Sequence, residues 1–243
     1  MAQGDAREMN LLILREEDFL EPGRVRLAGR RLRHVIEVHR AAAGEDLAVG
    51  LLGGAMGRGR VTRLDAEALE MEVRLDQPPP PKLPLTLVLA LPRPKVLNRV
   101  LAAATSLGVA RIYLVNAWKV EKSYWHSPRL GEENLLLQRI LGLEQARDTR
   151  LPELHLRRLL RPFAESELPG LLRGGTALLA HPGSAAACPR EARGPVTLVI
   201  GPEGGFIDAE IELLTRSGCQ PVHLGARVLR VETAVAALVG RLF

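Results

Sequence analysis

Val196-Thr197-Leu198-Val199-Ile200-Gly201-Pro202-Glu203-Gly204-Gly205-Phe206-Ile207-Asp208 decides how most of this chain is read. The first five residues, apolar but for one threonine, predict a strand buried on both faces. It runs directly into a Gly-rich turn, and Asp208 is the expected N-cap of a helix over 208–217. In an open α/β sheet, ligands lie beyond the carboxyl ends of the strands, so this turn is placed to hold one. Its glycines permit positive φ and close backbone approach. Glu203 has a plainer reading too, as a carboxylate near a helix start. The chain contains neither G-x-G-x-x-G nor G-x-x-x-x-G-K-[ST], which disfavours a dinucleotide or nucleoside-triphosphate site.

Working outward, strands are expected at 85–91, 111–115, 176–180, 196–201 and 221–224. Helices are expected at 96–107, 131–146, 208–217 and 232–243. This alternation predicts a mostly parallel sheet covered by helices. Residues 1–76 read differently. Short alternating or apolar runs at 10–14, 46–52, 58–64 and 68–75, broken by glycines, predict a small β-barrel. Leu32, Val35, Ile36 and His39 recur at helical spacing and predict one amphipathic helix over 29–39. The run Gln77-Pro78-Pro79-Pro80-Pro81-Lys82-Leu83-Pro84 lacks backbone donors and holds an extended form. The expected division is therefore 1–76, a stiff linker at 77–84, and 85–243.

The chain has 243 residues, 47% hydrophobic and 25% charged, which is ordinary for a folded soluble protein. No apolar run approaches the ~18 residues of a membrane span, and acidic residues near the start argue against a signal peptide. Two isolated cysteines, Cys188 and Cys219, suggest neither a zinc site nor a disulfide framework, and the reduced cytoplasm is the expected compartment. The net charge of +5 is uneven. Residues 1–76 carry 12 basic and 14 acidic side chains, yet Arg24, Arg26, Arg30, Arg31, Arg33 and Arg40 fall within one short stretch with Glu37 as its only acid. Such a cluster can be a solvated helix face or a phosphate-binding footprint. Aromatic residues are only 3% of the chain, which argues against binding single strands mainly through stacked aromatic platforms.

A second informative segment is Val222-His223-Leu224-Gly225-Ala226-Arg227-Val228-Leu229-Arg230-Val231-Glu232-Thr233-Ala234. A short strand leads into a loop with two arginines, and a final helix starts near Glu232. Glu232 can simply favour the helix start. Arg227 and Arg230 can bind phosphate or pair with Glu203 or Glu232.

Ile200-Gly201-Pro202-Glu203-Gly204-Gly205-Phe206 and Leu224-Gly225-x-Arg227-x-Leu229-Arg230-x-Glu232-Thr233-Ala234 together resemble the bacterial 16S rRNA (uracil-N3)-methyltransferase family, of the SPOUT class. Leu91-Pro92-Arg93-Pro94-Lys95, Leu107-Gly108-Val109-x-Arg111-Ile112, Glu144-Gln145-Ala146-Arg147 and His34-Val35-Ile36-Glu37-Val38-His39-Arg40 extend the resemblance over nearly the whole chain. The chain departs from the family pattern at Ser106, where the family commonly has Glu, and at Val231, where it commonly has Thr.

The resemblance implies a PUA-like β-barrel followed by an α/β domain with a C-terminal trefoil knot, S-adenosylmethionine as cofactor, a homodimer, and 16S rRNA or the small ribosomal subunit as substrate. Neither a metal nor a membrane is implied. The cofactor-binding residues it implies are Leu179, His181, Ile200, Gly201, Pro202, Glu203, Gly204, Gly205, Leu224, Gly225, Val228, Leu229, Arg230, Glu232, Thr233 and Ala234. Arg230 and Glu232 are the catalytic candidates, as stabiliser of a developing uracil anion and as proton acceptor. Thr233 is expected to bond locally at the helix start, and His181 has a merely structural reading beside the functional one. Uracil N3 lies on the pairing edge, so the target base must be unpaired or flipped. Arg24, Arg26, Arg30, Arg31 and Arg33 are expected to grip the RNA backbone. The competing readings are a related methyltransferase acting on tRNA or another rRNA nucleotide, and a catalytically silent RNA-binding protein.

Overall fold

The computed structural model describes residues 10–39 and 41–243, so Arg40 and the first nine residues lie outside it. The chain forms two compact units, Met1–Pro80 with Leu143–Leu151, and Pro81–Gly142 with Pro152–Phe243.

The first unit is a six-stranded sheet in the order β1-β4-β5-β6-β3-β2. Its strands are β1 (Leu12–Leu14), β2 (Phe19–Glu21), β3 (Arg24–Leu27), β4 (Asp46–Leu51), β5 (Met56–Leu64) and β6 (Leu69–Gln77). All neighbours are antiparallel except β1 and β4. The register shifts twice between β5 and β6, at 56/57 and 61/63, and such bulges curl a sheet. Gly57 sits at the first shift. A Cβ there would lie 1.8 Å from the Arg74 carbonyl oxygen, so only glycine fits. The curled sheet closes on Leu14, Val25, Leu27, Val49, Leu69 and Met71.

Two sequence expectations need correction here. β3 lies hidden among the arginines, although Arg24 and Arg26 point out while Val25 and Leu27 point in, a period of two. The expected single helix over 29–39 is α1 (Gly29–His34) followed by a π-helical turn, Val35–His39. Leu32 and Val35 are buried as the pattern requires, but Ile36 is exposed, because the wider turn changes the angular step beyond Val35.

The second unit holds a wholly parallel six-stranded sheet in the order β12-β10-β11-β7-β8-β9. Its strands are β7 (Leu83–Ala90), β8 (Val109–Val115), β9 (Glu153–Arg157), β10 (Thr176–Ala180), β11 (Val196–Ile200) and β12 (Gln220–Val222). The helices are α2 (Pro94–Ser106), α3 (Glu132–Ala146), α4 (Leu160–Pro162), α5 (Leu168–Leu171), α6 (Asp208–Arg216) and α7 (Val231–Leu242), with α2 and α7 in mutual contact. α3 is continuous, and its last residues group with the first unit. The chain builds β7, β8 and β9 outward, then begins again at β10 and returns through β11 to the side of β7. The order reverses at the β7–β11 pair, and crevices open at such reversals.

β11 is buried throughout, as its composition predicts. β9 escapes notice in the sequence because its alternation carries Glu153, His155 and Arg157 at an exposed sheet edge.

Candidate active site

Because every strand of the second sheet runs the same way, all six carboxyl ends share one edge. At that edge the segments leaving β10, β11 and β12 converge on one cleft. Ala180, His181 and Pro182 come from the first, Ile200 to Glu203 with Gly205 and Phe206 from the second, and Val222 to Gly225 with Arg227 to Leu229 from the third. Val231, Ala234 and Leu238 of α7 complete it, three positions on one helix face.

Close approach within the glycine turn requires small residues. A Cβ on Gly201 would lie 3.1 Å from the Phe206 ring and 3.3 Å from its amide nitrogen. The Gly205 amide donates to the Pro202 carbonyl at 2.8 Å, and Gly205 has φ +71°. The turn is held from outside as well. Glu203 accepts the Arg93 amide at 3.1 Å, at the start of α2, so it does not cap the helix that follows it. Lys119 Nζ donates to the Gly204 carbonyl at 2.8 Å. The N-cap of α6 is Ile207 rather than Asp208, and its amide is satisfied by Glu210 Oε2 at 3.1 Å.

The third segment is anchored through His223. Its amide donates to the Ala186 carbonyl and its carbonyl accepts from Cys188. Its Nδ1 accepts the Gly225 amide at 2.9 Å, which fixes a tautomer with the proton on Nε2. Beyond Gly225 the loop is exposed through Arg230.

Of the expected cofactor residues, His181, Ile200, Gly201, Pro202, Glu203, Gly205, Leu224, Gly225, Val228, Leu229 and Ala234 line the cleft. Leu179, Gly204, Arg230, Glu232 and Thr233 do not. Leu179 is fully buried inside β10. Gly204 faces the Lys119 side chain. Arg230 is exposed at the N-cap of α7. Glu232 lies 3.4 Å from Arg99 Nη2, an ion pair between α7 and α2. Thr233 is exposed and makes no side-chain bond among the described residues, contrary to the local bond expected of it. Phe206, His223, Val231 and Leu238 line the cleft without being expected to. The helical spacing of Val231, Ala234 and Leu238 is the signal that points to them. Val231, a departure from the family pattern, is buried against this cleft, and Ser106 merely bonds the Ala103 carbonyl within α2.

The arginine cluster of the first unit is only partly available to a ligand. Arg31 donates two parallel hydrogen bonds to the Asp18 carboxylate, at 2.5 and 2.6 Å, and the two side chains are 19% and 6% exposed. Arg30 grips Glu144 through both guanidinium nitrogens, at 2.9 and 3.2 Å. Arg24 pairs with Glu21 and Glu70. Arg26 and Arg33 are exposed and enter no ion pair among the described residues.

A parallel sheet with three loops converging beyond the carboxyl ends of its strands defines an α/β ligand-binding domain, and the sequence places it among RNA methyltransferases: the family model for the RNA methyltransferase domain matches residues 79–242. The chain is 32% identical to the ribosomal RNA small subunit methyltransferase E of Treponema pallidum, over 94% of this chain and 88% of that protein. It belongs to that family. Among solved structures, the ribosomal RNA small subunit methyltransferase E of Neisseria gonorrhoeae, bound to S-adenosylmethionine, has the same fold, with TM-score 0.74, 24% identity and 95% of each chain covered. A Legionella pneumophila protein in complex with the same bound cofactor matches with TM-score 0.71 and 25% identity, over 94% of each chain. No helix among the described residues is long and apolar enough to cross a membrane.

Proposed function

We propose that this chain transfers a methyl group from S-adenosylmethionine to N3 of a uridine in small-subunit ribosomal RNA. The observation that carries the reading is the convergence of the β10, β11 and β12 segments on one cleft in a chain of this family. The cofactor-bound relatives support the choice of cofactor.

The cleft's lining fits such a molecule. Ile200, Pro202, Leu224 and Leu229 offer apolar walls for a purine face, while the main chain of three segments offers donors and acceptors to its edge and to a ribose. Glu203 and Arg227 stand there with opposite charges, suited to a zwitterionic amino-acid end. When bound, the cofactor supplies an activated methyl on a sulfonium. The chain's own task is to orient the two reactants and to favour loss of the N3 proton. To Arg230, exposed and outside every ion pair among the described residues, we assign the stabilising of negative charge that develops on the uracil. Glu232 serves α7 and α2 instead, since its carboxylate faces Arg99.

Arg26 and Arg33 are the members of the arginine cluster we assign to RNA phosphates. We also assign the protein to the cytoplasm, where its substrate is, and to a homodimer, for which the exposed Val228 and Phe243 supply apolar surface.

The test is incubation of the protein with methyl-labelled cofactor and unmethylated small ribosomal subunits, followed by mass-spectrometric mapping of the product. 3-Methyluridine at one position is expected. No transfer, or another methylated nucleoside, overturns the reading.

A further inference from the structure

Trp118 is the most conspicuous side chain that the proposed function leaves unused. It is 78% exposed in a chain whose other tryptophan, Trp125, is buried and bonded through Nε1 to Asn116. No aromatic ring or guanidinium covers it among the described residues. Leaving an indole of this size in solvent forgoes the free energy that its burial would bring.

The backbone beneath the ring is fixed. The Trp118 amide donates to Glu210 Oε1 at 2.7 Å, and Glu210 Oε2 accepts the Ile207 amide at 3.1 Å. One carboxylate thereby ties the Trp118 loop to the segment that follows the glycine turn. The next residue, Lys119, is bonded through Nζ to the Gly204 carbonyl. Trp118 follows β8, two strands from β11 across β7, and strand spacing places the ends of β8 and β11 about 10 Å apart. It therefore stands at the ligand-binding edge of the sheet, beside the cleft.

Arg93, Lys95, Lys119 and Lys122 are exposed on the segments leaving β7 and β8, and they include three of the chain's four lysines. The nearby acids are engaged by donors, Glu203 by the Arg93 amide, Glu210 by two amides, and Glu121 by the Tyr124 hydroxyl at 3.0 Å. A flat exposed ring on a loop that also carries Lys119 and Lys122 matches a nucleic-acid base flanked by phosphates better than it matches a protein surface.

We propose that Trp118 is a stacking platform for an unpaired base of the RNA substrate, adjoining the nucleotide that receives the methyl group. The inference rests on the RNA methylation proposed above and adds a positioning residue to it.

The test compares the wild-type protein with Trp118→Ala and Trp118→Phe, using an unmethylated 16S rRNA transcript and unmethylated small subunits. Trp118→Ala is expected to weaken RNA affinity about 5- to 150-fold, the range for losing one stacked base. KM for the RNA should rise, while affinity for S-adenosylmethionine and the oligomeric mass stay unchanged. The slope of log affinity against log salt should also hold, because every phosphate keeps its cation. Trp118→Phe should recover most of the affinity, and wild-type tryptophan fluorescence should be quenched by RNA. Unchanged RNA affinity in Trp118→Ala overturns the proposal. A changed oligomeric mass does so too, by marking Trp118 as a protein contact. If the wild type itself transfers no methyl group to RNA, the functional reading falls first. If it does and Trp118→Ala matches it, the stacking proposal alone falls.

Discussion

Glu232 and Arg99 join the first turn of α7 to the middle of α2, with 3.4 Å between the carboxylate and the guanidinium. In the reading proposed above, this pair gives Glu232 a structural role between the two helices in place of the proton-acceptor role its motif suggests. Glu232→Gln is expected to change kcat by less than about threefold and to leave the pH–rate profile in place. The half-exposed pair contributes at most about 1 kcal/mol to stability. Arg230→Ala, by contrast, should lower kcat by tenfold or more while cofactor affinity holds, because the role proposed for the guanidinium is toward charge present only in the transition state. Single-turnover methylation and calorimetric titration separate the two.

Gly201→Ala should damage the cleft without unfolding the protein. The new methyl meets the Phe206 ring at 3.1 Å and must push it along the wall it forms. Cofactor affinity is expected to fall about tenfold, with a cost in stability of about 1–3 kcal/mol from overpacking. Titration calorimetry and thermal melting check both.

The arginines of the first unit should divide by partner. Arg31→Ala strands a nearly buried Asp18 carboxylate and should cost about 3 kcal/mol of stability. The double change Arg26→Ala and Arg33→Ala should leave the melting temperature alone. It should reduce the salt slope of RNA binding by about 1.4 to 1.8, at ~0.7–0.9 for each phosphate that is no longer neutralised.

Neither cysteine should react with a thiol reagent at pH 8 in the native protein. Burial pushes the Cys219 thiol up to about 11, and burial likewise raises Cys188. At pH 8 about one Cys219 in a thousand is thiolate. Both should label once the chain is denatured. The linkage has a definite sign: because the folded pKa lies above the unfolded value of ~8.5, stability held below that pH is lost as pH rises from there toward 11.

The strand–turn–helix at 196–216 is legible because each part is specified locally, by a buried strand composition, by glycines and by a helix start. The parallel class of the second sheet follows from repeating that logic. β3 is hard to see because counting arginines conceals the inward alternation of Val25 and Leu27. The arginine cluster promises too much for a related reason. Arg30 is satisfied by Glu144, 114 positions away, and no local pattern reveals so distant a partner. The cleft shows the same limit. Its loops carry strong motifs that stand out in the sequence, but their meeting at one cleft follows from tertiary convergence alone.

Residues Leu143–Leu151 belong with the first unit. There the Glu144 carbonyl takes the Leu11 amide, the Thr149 carbonyl takes the Gly53 amide, and Thr149 Oγ1 bonds the Gly54 carbonyl. The proline run does hold a boundary between the units, at Pro80 and Pro81, but a single cut there does not separate them cleanly. A gene fragment ending there leaves the N-terminal sheet without a stretch encoded some sixty codons further on. A cassette of the β-rich half carries these partners only when residues 143–151 travel with it.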